Sequence, residues 1–453
     1  MNNALFNDFE PVSIKQWKQK IQFDLKGADY NDALVWTSNE GIQVKPFYHA
    51  DDSAEFQTIA TPSSFKICDT IFVSNAENAN TAALSAIENG AESIKFIVPS
   101  KTIDFKTLIA NINLEVLTLY FEFQFIDENA VKKAVTLTTK AKTFITIDSI
   151  AHLAKTGNWY HNLNEDFAKL YSCVKQSHTL AVDTALYQNA GANMVQQLAY
   201  AMAHVNEYFN YIENTSKTTA SKINVVFNTA VGSNYFFEIA KLRALRLLFG
   251  TLQKEYTTHY NCHIFTTPSK RNKAIYDYNT NMLRSTTECM SAVLGGANTI
   301  SNLPYDAVFH KNNAFGSRIA RNQLLILKHE SYFDVVENPS SGSYYIESLT
   351  QQLAEKALSL FKAIETNGGF LKQLKNGTIQ RKIKENATKE QQQFNTGKEI
   401  ILGSNKHPNQ NDKMKNNLEI YPFVKIKKRK TLIAPIIEKR LTETLEQERL
   451  KNE

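Results

Sequence analysis

An α/β fold built on parallel strands is what the sequence predicts, and three observations predict it. Eight short runs rich in β-branched and aromatic residues recur along the chain, helical patterns separate them, and 453 residues suffice for one large domain with appendages. Eight is also the number of strands that closes a (β/α)8 TIM-type barrel, with a doubly wound open sheet as the alternative on the count alone.

The first four strands are expected at Asp69–Ser74 (DTIFVS), Ser93–Val98 (SIKFIV), Leu117–Glu122 (LTLYFE) and Thr143–Asp148 (TFITID). The second four are expected at His178–Asp183 (HTLAVD), Ile223–Asn228 (INVVFN), Tyr260–Phe265 (YNCHIF) and Asn298–Asn302 (NTISN). Among the helices, Asn189–Tyr211 carries Met194, Leu198, Ala201 and Val205 at helical spacing. Ser233–Tyr256 carries Phe236, Ile239, Leu242, Leu245 and Phe249 on one stripe. That stripe is expected to face the strands, with Glu238, Lys241 and Arg246 toward solvent.

Three regions are expected. Residues 1–60 read as an arm whose Trp17, Ile21, Leu25, Leu34 and Trp36 suggest packing. Residues 61–370 hold the strand–helix units. Residues 371–453 read as a polar, basic extension: a charged helix at Gln380–Asn395, a linker at His407–Asn417, then a basic run that ends in an amphipathic helix. The charge follows this division. Residues 372–453 hold 19 Lys and Arg against 10 Asp and Glu, and the remainder 32 against 35.

Composition excludes several classes. No window of about 18 apolar residues exists, so no membrane span is expected. The N-terminus has acids and no apolar core of a signal peptide. Cys68, Cys173, Cys262 and Cys289 form no C-x-x-C pair, which points to reduced thiols and a cytoplasmic setting. The run Lys425–Lys430 accompanies no nucleic-acid-binding motif and reads as a solvated face or one that meets an acidic partner.

Single residues carry little chemistry. His178, His263 and His310 lie in or near strand ends without the spacing of a metal site. Asp148 and Asp183 end two strands, but nothing favours acid–base work over capping or loop bonding. Gly295-Gly296 lacks G-x-G-x-x-G and reads as close helix–strand packing. Cys173 and Cys289 show no activating base.

A set of motifs in order carries a resemblance. These are Leu25–Tyr30 (LKGADY), Glu40–Tyr48 (EGIQVKPFY), Gln188–Ala192 (QNAGA), Glu238–Ala244 (EIAKLRA), Ser317–Asn322 (SRIARN), Ser341–Tyr345 (SGSYY) and Gly397–Gly403 (GKEIILG). They are similar to stretches of the coenzyme-B12-dependent acyl-CoA mutases, the methylmalonyl-CoA mutase family. The resemblance implies a (β/α)8 barrel, and it implies that the N-terminal arm wraps a partner subunit.

The departures from the family pattern shape the functional expectation. The family's catalytic Tyr-His pair would fall on Ala185 and Leu186, neither of which can donate a hydrogen bond to a thioester carbonyl. The family's Arg-Gly-Pro-Tyr segment has no match at Thr61–Phe65, and its carboxylate-clamping arginine has none between Ala151 and Gln176. No Asp is followed by the His of D-x-H-x-x-G, and no Rossmann-like cobalamin domain is expected. The resemblance therefore implies a small, non-catalytic subunit of a heterodimeric mutase. Adenosylcobalamin and the acyl-CoA would sit on the large catalytic subunit; catalytic, cofactor and metal residues on this chain would be none, with no nucleic acid and no membrane as partner. Alternatives are a CoA-ester-binding regulatory barrel, or the barrel half of a split mutase. Bulky residues at Leu117, Leu119, Phe121, Phe144, Val182, Val225 and Phe227 suggest a filled interior.

Overall fold

Runs of apolar β-formers buried on both faces suit parallel strands covered by helices, and in a computed structural model all eight form. They are β1 (Lys66–Phe72), β2 (Ser93–Val98), β3 (Thr118–Phe123), β4 (Lys142–Thr146), β5 (Thr179–Asp183), β6 (Ile223–Val231), β7 (Tyr260–Pro268) and β8 (Thr299–Ile300). The structure describes residues 8–52, 59–215, 222–425 and 428–453. The order is β4-β3-β2-β1-β8-β7-β6-β5, with every neighbouring pair parallel. Thr299 of β8 pairs with Lys66 of β1 and with Phe265 of β7, so the sheet curls back on its first strand. No ladder joins β4 to β5 among the described residues. There the Asp183 N–H donates to Asp148 Oδ2 at 2.7 Å, and a side chain bridges the seam of a nearly closed (β/α)8 barrel.

Alternation sorts each strand into two cores. Leu119, Phe121, Leu180, Val182, Val225, Phe227 and Ile264 face outward into the main core beneath the helices. Cys68, Tyr120, Phe144, Val226 and Phe265 form a separate cluster inside the barrel. Of the residues expected to fill the interior, only Phe144 does so; Leu117, Leu119, Phe121, Val182, Val225 and Phe227 belong to the outer core.

The helix Met194–Thr215 buries Met194, Leu198, Ala201 and Val205. It starts five residues later than expected, because Gly191 (φ +96°) breaks the chain after a short helix Ala185–Asn189. A Cβ on Gly191 would lie 2.6 Å from Ala387 and 2.8 Å from Arg271.

The helix Tyr235–Leu252 corrects the expected solvent face. Glu238 and Lys241 are buried and paired at 2.5 Å. Lys241 Nζ also donates to Gln188 Oε1, Gln197 Oε1 and Ala230 O, and Gly232 N–H donates to Glu238 Oε1. These partners, from the end of β6 and two neighbouring helices, together with the ion pair itself make the burial tolerable. Arg246 is half-buried and holds Gly296 O and Asn298 Oδ1, both at 2.6 Å. Phe236, expected on the inner stripe, is 49% exposed.

The appendages also depart from expectation. The arm helix Ile14–Asp24, with a Ser13–Gln16 capping box, buries no residue. Trp17 and Trp36 are about half exposed, touching Phe47 and Phe237 edge-on. The arm is therefore anchored further along, where Tyr30 and Ile42 are buried and Ile42 joins the main core, while its first helix stays on the surface. After the charged helix Thr378–Asn395, the chain runs irregularly to a last helix, Glu443–Lys451. That helix is not amphipathic in the expected sense, since its buried residues are Glu443 and Glu446. These carboxylates accept the backbone N–H groups of Val424, Arg440 and Ile275, and Glu446 pairs with Arg440 at 2.7 Å. In the basic run, Ile426 and Lys427 lie outside the described residues; Lys425, Lys428 and Lys430 are exposed. Arg429 is exposed too and donates to Thr156 O. No helix among the described residues is long and apolar enough to cross a membrane.

Candidate functional site

The C-terminal ends of barrel strands are where this architecture places chemistry, so the axis and mouth decide what the chain can do. Tyr120 stacks on Phe144 at 5.0 Å and meets Phe265 edge-on at 4.9 Å. Its hydroxyl bonds His263 Nε2 at 2.8 Å and Thr299 Oγ1 at 2.7 Å. His263 lies 4.4 Å from the Phe144 ring. Burial holds the His263 imidazole neutral, down to about 3, and pushes the Cys68 thiol up to about 12. Rings from β3, β4 and β7 thus fill the axis, and burial moves both the imidazole and the thiol away from neutral-pH titration.

Above this plug the mouth has two lobes that share Lys95, Asn189, Thr267 and Lys270. The first, about 450 Å³, holds Glu122, Asp148, His152, Lys155, Asp183 and Glu438. Lys95 pairs with Glu122 at 2.6 Å. Asp148 caps the helix Ser149–Thr156 through Ala151 N–H. It also accepts from His204 Nε2 (2.9 Å) and Tyr208 OH (2.7 Å). Burial favours the neutral acid, yet the His204 charge and these donors hold Asp148 below its usual range. Burial pushes Asp183 up to about 6; Lys155 opposes this, and Glu122, Asp148 and Glu438 add to it. His152 is stacked on Tyr160, centroids 3.7 Å apart.

The second lobe, about 440 Å³, lies between β1, β2, β7 and the helix Ala314–Leu325. It holds Asp69, Lys270, Asp306, His310, Lys311 and Arg321. Arg321 pairs with Asp69 at 2.5 Å. His310 is occupied by Asp306 and Asn417.

The residues singled out in the sequence scatter across this frame. Ala185 lines the first lobe, whereas Leu186 is buried in the outer core. Asp148 and Asp183 do come together, as a seam bridge plus helix cap. His263 plugs the axis, His310 lines the second lobe, and His178 ends a helix in a left-handed turn (φ +51°). Cys173 and Cys289 are buried, with their thiols raised by burial. Gly295-Gly296 packs against Leu242 and Thr61. No group of three or more His, Cys, Asp or Glu able to hold a metal occurs among the described residues.

One feature had no sequence signal. Residues 432–441 run along the rim as a strap. Leu432 and Ile433 donate to Gly157 O, Ile436 to Ala154 O, Lys439 to Asn189 O and Leu441 to Arg271 O. The strap sets Glu438 against Asn189 Nδ2 at 3.1 Å and Lys155 Nζ at 3.7 Å.

Comparison with known proteins gives a consistent picture. The family model for methylmalonyl-CoA mutase matches residues 103–451. The chain is 33% identical over 445 residues to the methylmalonyl-CoA mutase small subunit of Porphyromonas gingivalis, covering 89% of this chain and 71% of that one. It is 25% identical to the methylmalonyl-CoA mutase small subunit of Streptomyces virginiae, covering 89% and 72%. Over 244 residues it is 36% identical to the methylmalonyl-CoA mutase of Rhizobium meliloti, covering 51% of this chain and 33% of that longer one.

Proposed function

The chain belongs to the methylmalonyl-CoA mutase family, and from that premise we propose that it is a non-catalytic small subunit that stabilises a large catalytic partner. The complex would interconvert succinyl-CoA and (R)-methylmalonyl-CoA, with adenosylcobalamin and the acyl thioester on the partner. The observation that supports this reading is the filled axis: Tyr120, Phe144, His263 and Phe265 pack against one another in the barrel interior, where a pantetheine arm would have to pass. Ala185 and Leu186, at the positions of the family's Tyr-His pair, add a second reason, since neither can polarise a carbonyl.

The mouth does not fit a corrinoid. The strap crosses its rim, His310 is bonded to Asp306 and Asn417, and the His152 ring lies flat against Tyr160. No step on this chain is therefore routed through the cofactor. What the chain offers a partner is surface. The arm exposes the large apolar side chains Phe9, Trp17, Phe23 and Trp36, of the kind that obligate interfaces bury.

The test is turnover. The purified chain with adenosylcobalamin and methylmalonyl-CoA is expected to form no succinyl-CoA, and co-expression with a large subunit is expected to yield a stable active complex. Turnover by the single chain would overturn the proposal.

A further inference from the structure

We propose that the second lobe of the mouth binds a small oxyanion, a carboxylate or phosphate carried on a short apolar body. Arg321 is the anchor. It is only 7% exposed, yet its guanidinium makes a single hydrogen bond, from Nη1 to Asp69 Oδ2, and its Nε is buried with no partner among the described residues. A guanidinium has five donors in a fork shaped for a two-oxygen anion, and buried donors left unpaired are costly unless something fills them. Two more cations stand at the rim: Lys270 and Lys311 are exposed, and neither has an ion-pair partner among the described residues. Within this lobe the carboxylates are Asp69 and Asp306, the latter hydrogen-bonded to His310 and Asn313 Nδ2, against Arg321, Lys270 and Lys311; Lys270 also faces Glu122 across the shared rim. The lobe is therefore short of negative charge.

The remaining walls define the rest of the ligand. Phe72, Ile97, Leu303 and Leu324 give an apolar side. Thr70 and Ser301, whose hydroxyls lie 2.8 Å apart, give a polar corner at the ends of β1 and β8. The aromatic plug closes the floor, so entry is from the C-terminal face and the ligand fits within about 440 Å³. This site is independent of the proposed structural role, since a subunit that does no chemistry can still hold a ligand.

The experiment titrates the full chain with inorganic phosphate and, separately, with butyrate, by calorimetry and by thermal melting. Saturable binding of either probe is expected, and the probe that binds more tightly identifies the head group. K270Q, at an exposed position that leaves folding intact, is expected to weaken binding about tenfold, the loss of one charge-assisted contact. R321K, which keeps the charge and loses the fork, is expected to weaken it at least as much. D69N is expected to tighten binding, because it frees the guanidinium; a purely structural Arg321–Asp69 pair gives no such gain. Absence of saturable binding of both probes, or binding that K270Q and D69N leave unchanged, would overturn the proposal.

Discussion

Asp183 shows how one side chain in the mouth couples charge to stability. Its folded-state value of about 6 exceeds the ordinary carboxylate value of 3.8. Between these limits the folded chain keeps a proton that the unfolded chain has released. Stability contributed by that proton is present below about pH 4 and is lost as pH rises through 6. The loss is on the order of 2 kcal/mol, discounted for partial exposure. Asp183→Asn is therefore expected to raise the thermal midpoint at pH 7.5 and leave it nearly unchanged at pH 4, and equal shifts in melts at both pH values would refute this.

Other residues mark the limits of sequence reading. The helix-cap reading of Asp148 was available from its place at a strand end, and the structure has it capping. Tyr120 as the axial plug was not available. It sits between Leu119 and Phe121, and with both faces of a barrel strand buried, apolarity cannot tell inward from outward. Glu238 and Lys241 look like a solvated face until Gln188, Gln197 and Gly232 are brought beside them from distant segments.

At the scale of elements, most strands and the long helices were legible because each is a sustained run, such as the 5 residues of β4 or the 22 of the helix Met194–Thr215. The rim strap was not, because it has no period and owes its place to partners far away in the chain. Its docking depends on Gly157, where φ is +83° and a Cβ would lie 2.7 Å from Ile433 O and from Thr431 Cβ. Gly157→Ala is expected to lift the strap at a cost of at least about 1 kcal/mol. Limited trypsin digestion checks it: cleavage at Arg429, Lys430 and Lys439 should accelerate relative to wild type, while the barrel itself resists.

For the whole molecule, the family motifs made the barrel legible, whereas the exposure of the arm's first helix was not, because its aromatic residues resemble core. Arm residues bury nothing in the helix Ile14–Asp24, yet the chain carries them. Deleting residues 1–28 is expected to change the stability of the isolated chain by less than about 0.5 kcal/mol, as for other surface changes. The same deletion is expected to abolish co-purification with a large subunit, which a pull-down measures. Retained co-purification would remove the arm from the interface.

The bridge from Asp183 N–H to Asp148 carries one last consequence. A sheet that ends at β4 and β5 without a ladder has two margins of backbone donors and acceptors, and such margins recruit strands from other molecules. By taking up one of those donors from within, the Asp148 carboxylate leaves one fewer open to a strand from another molecule.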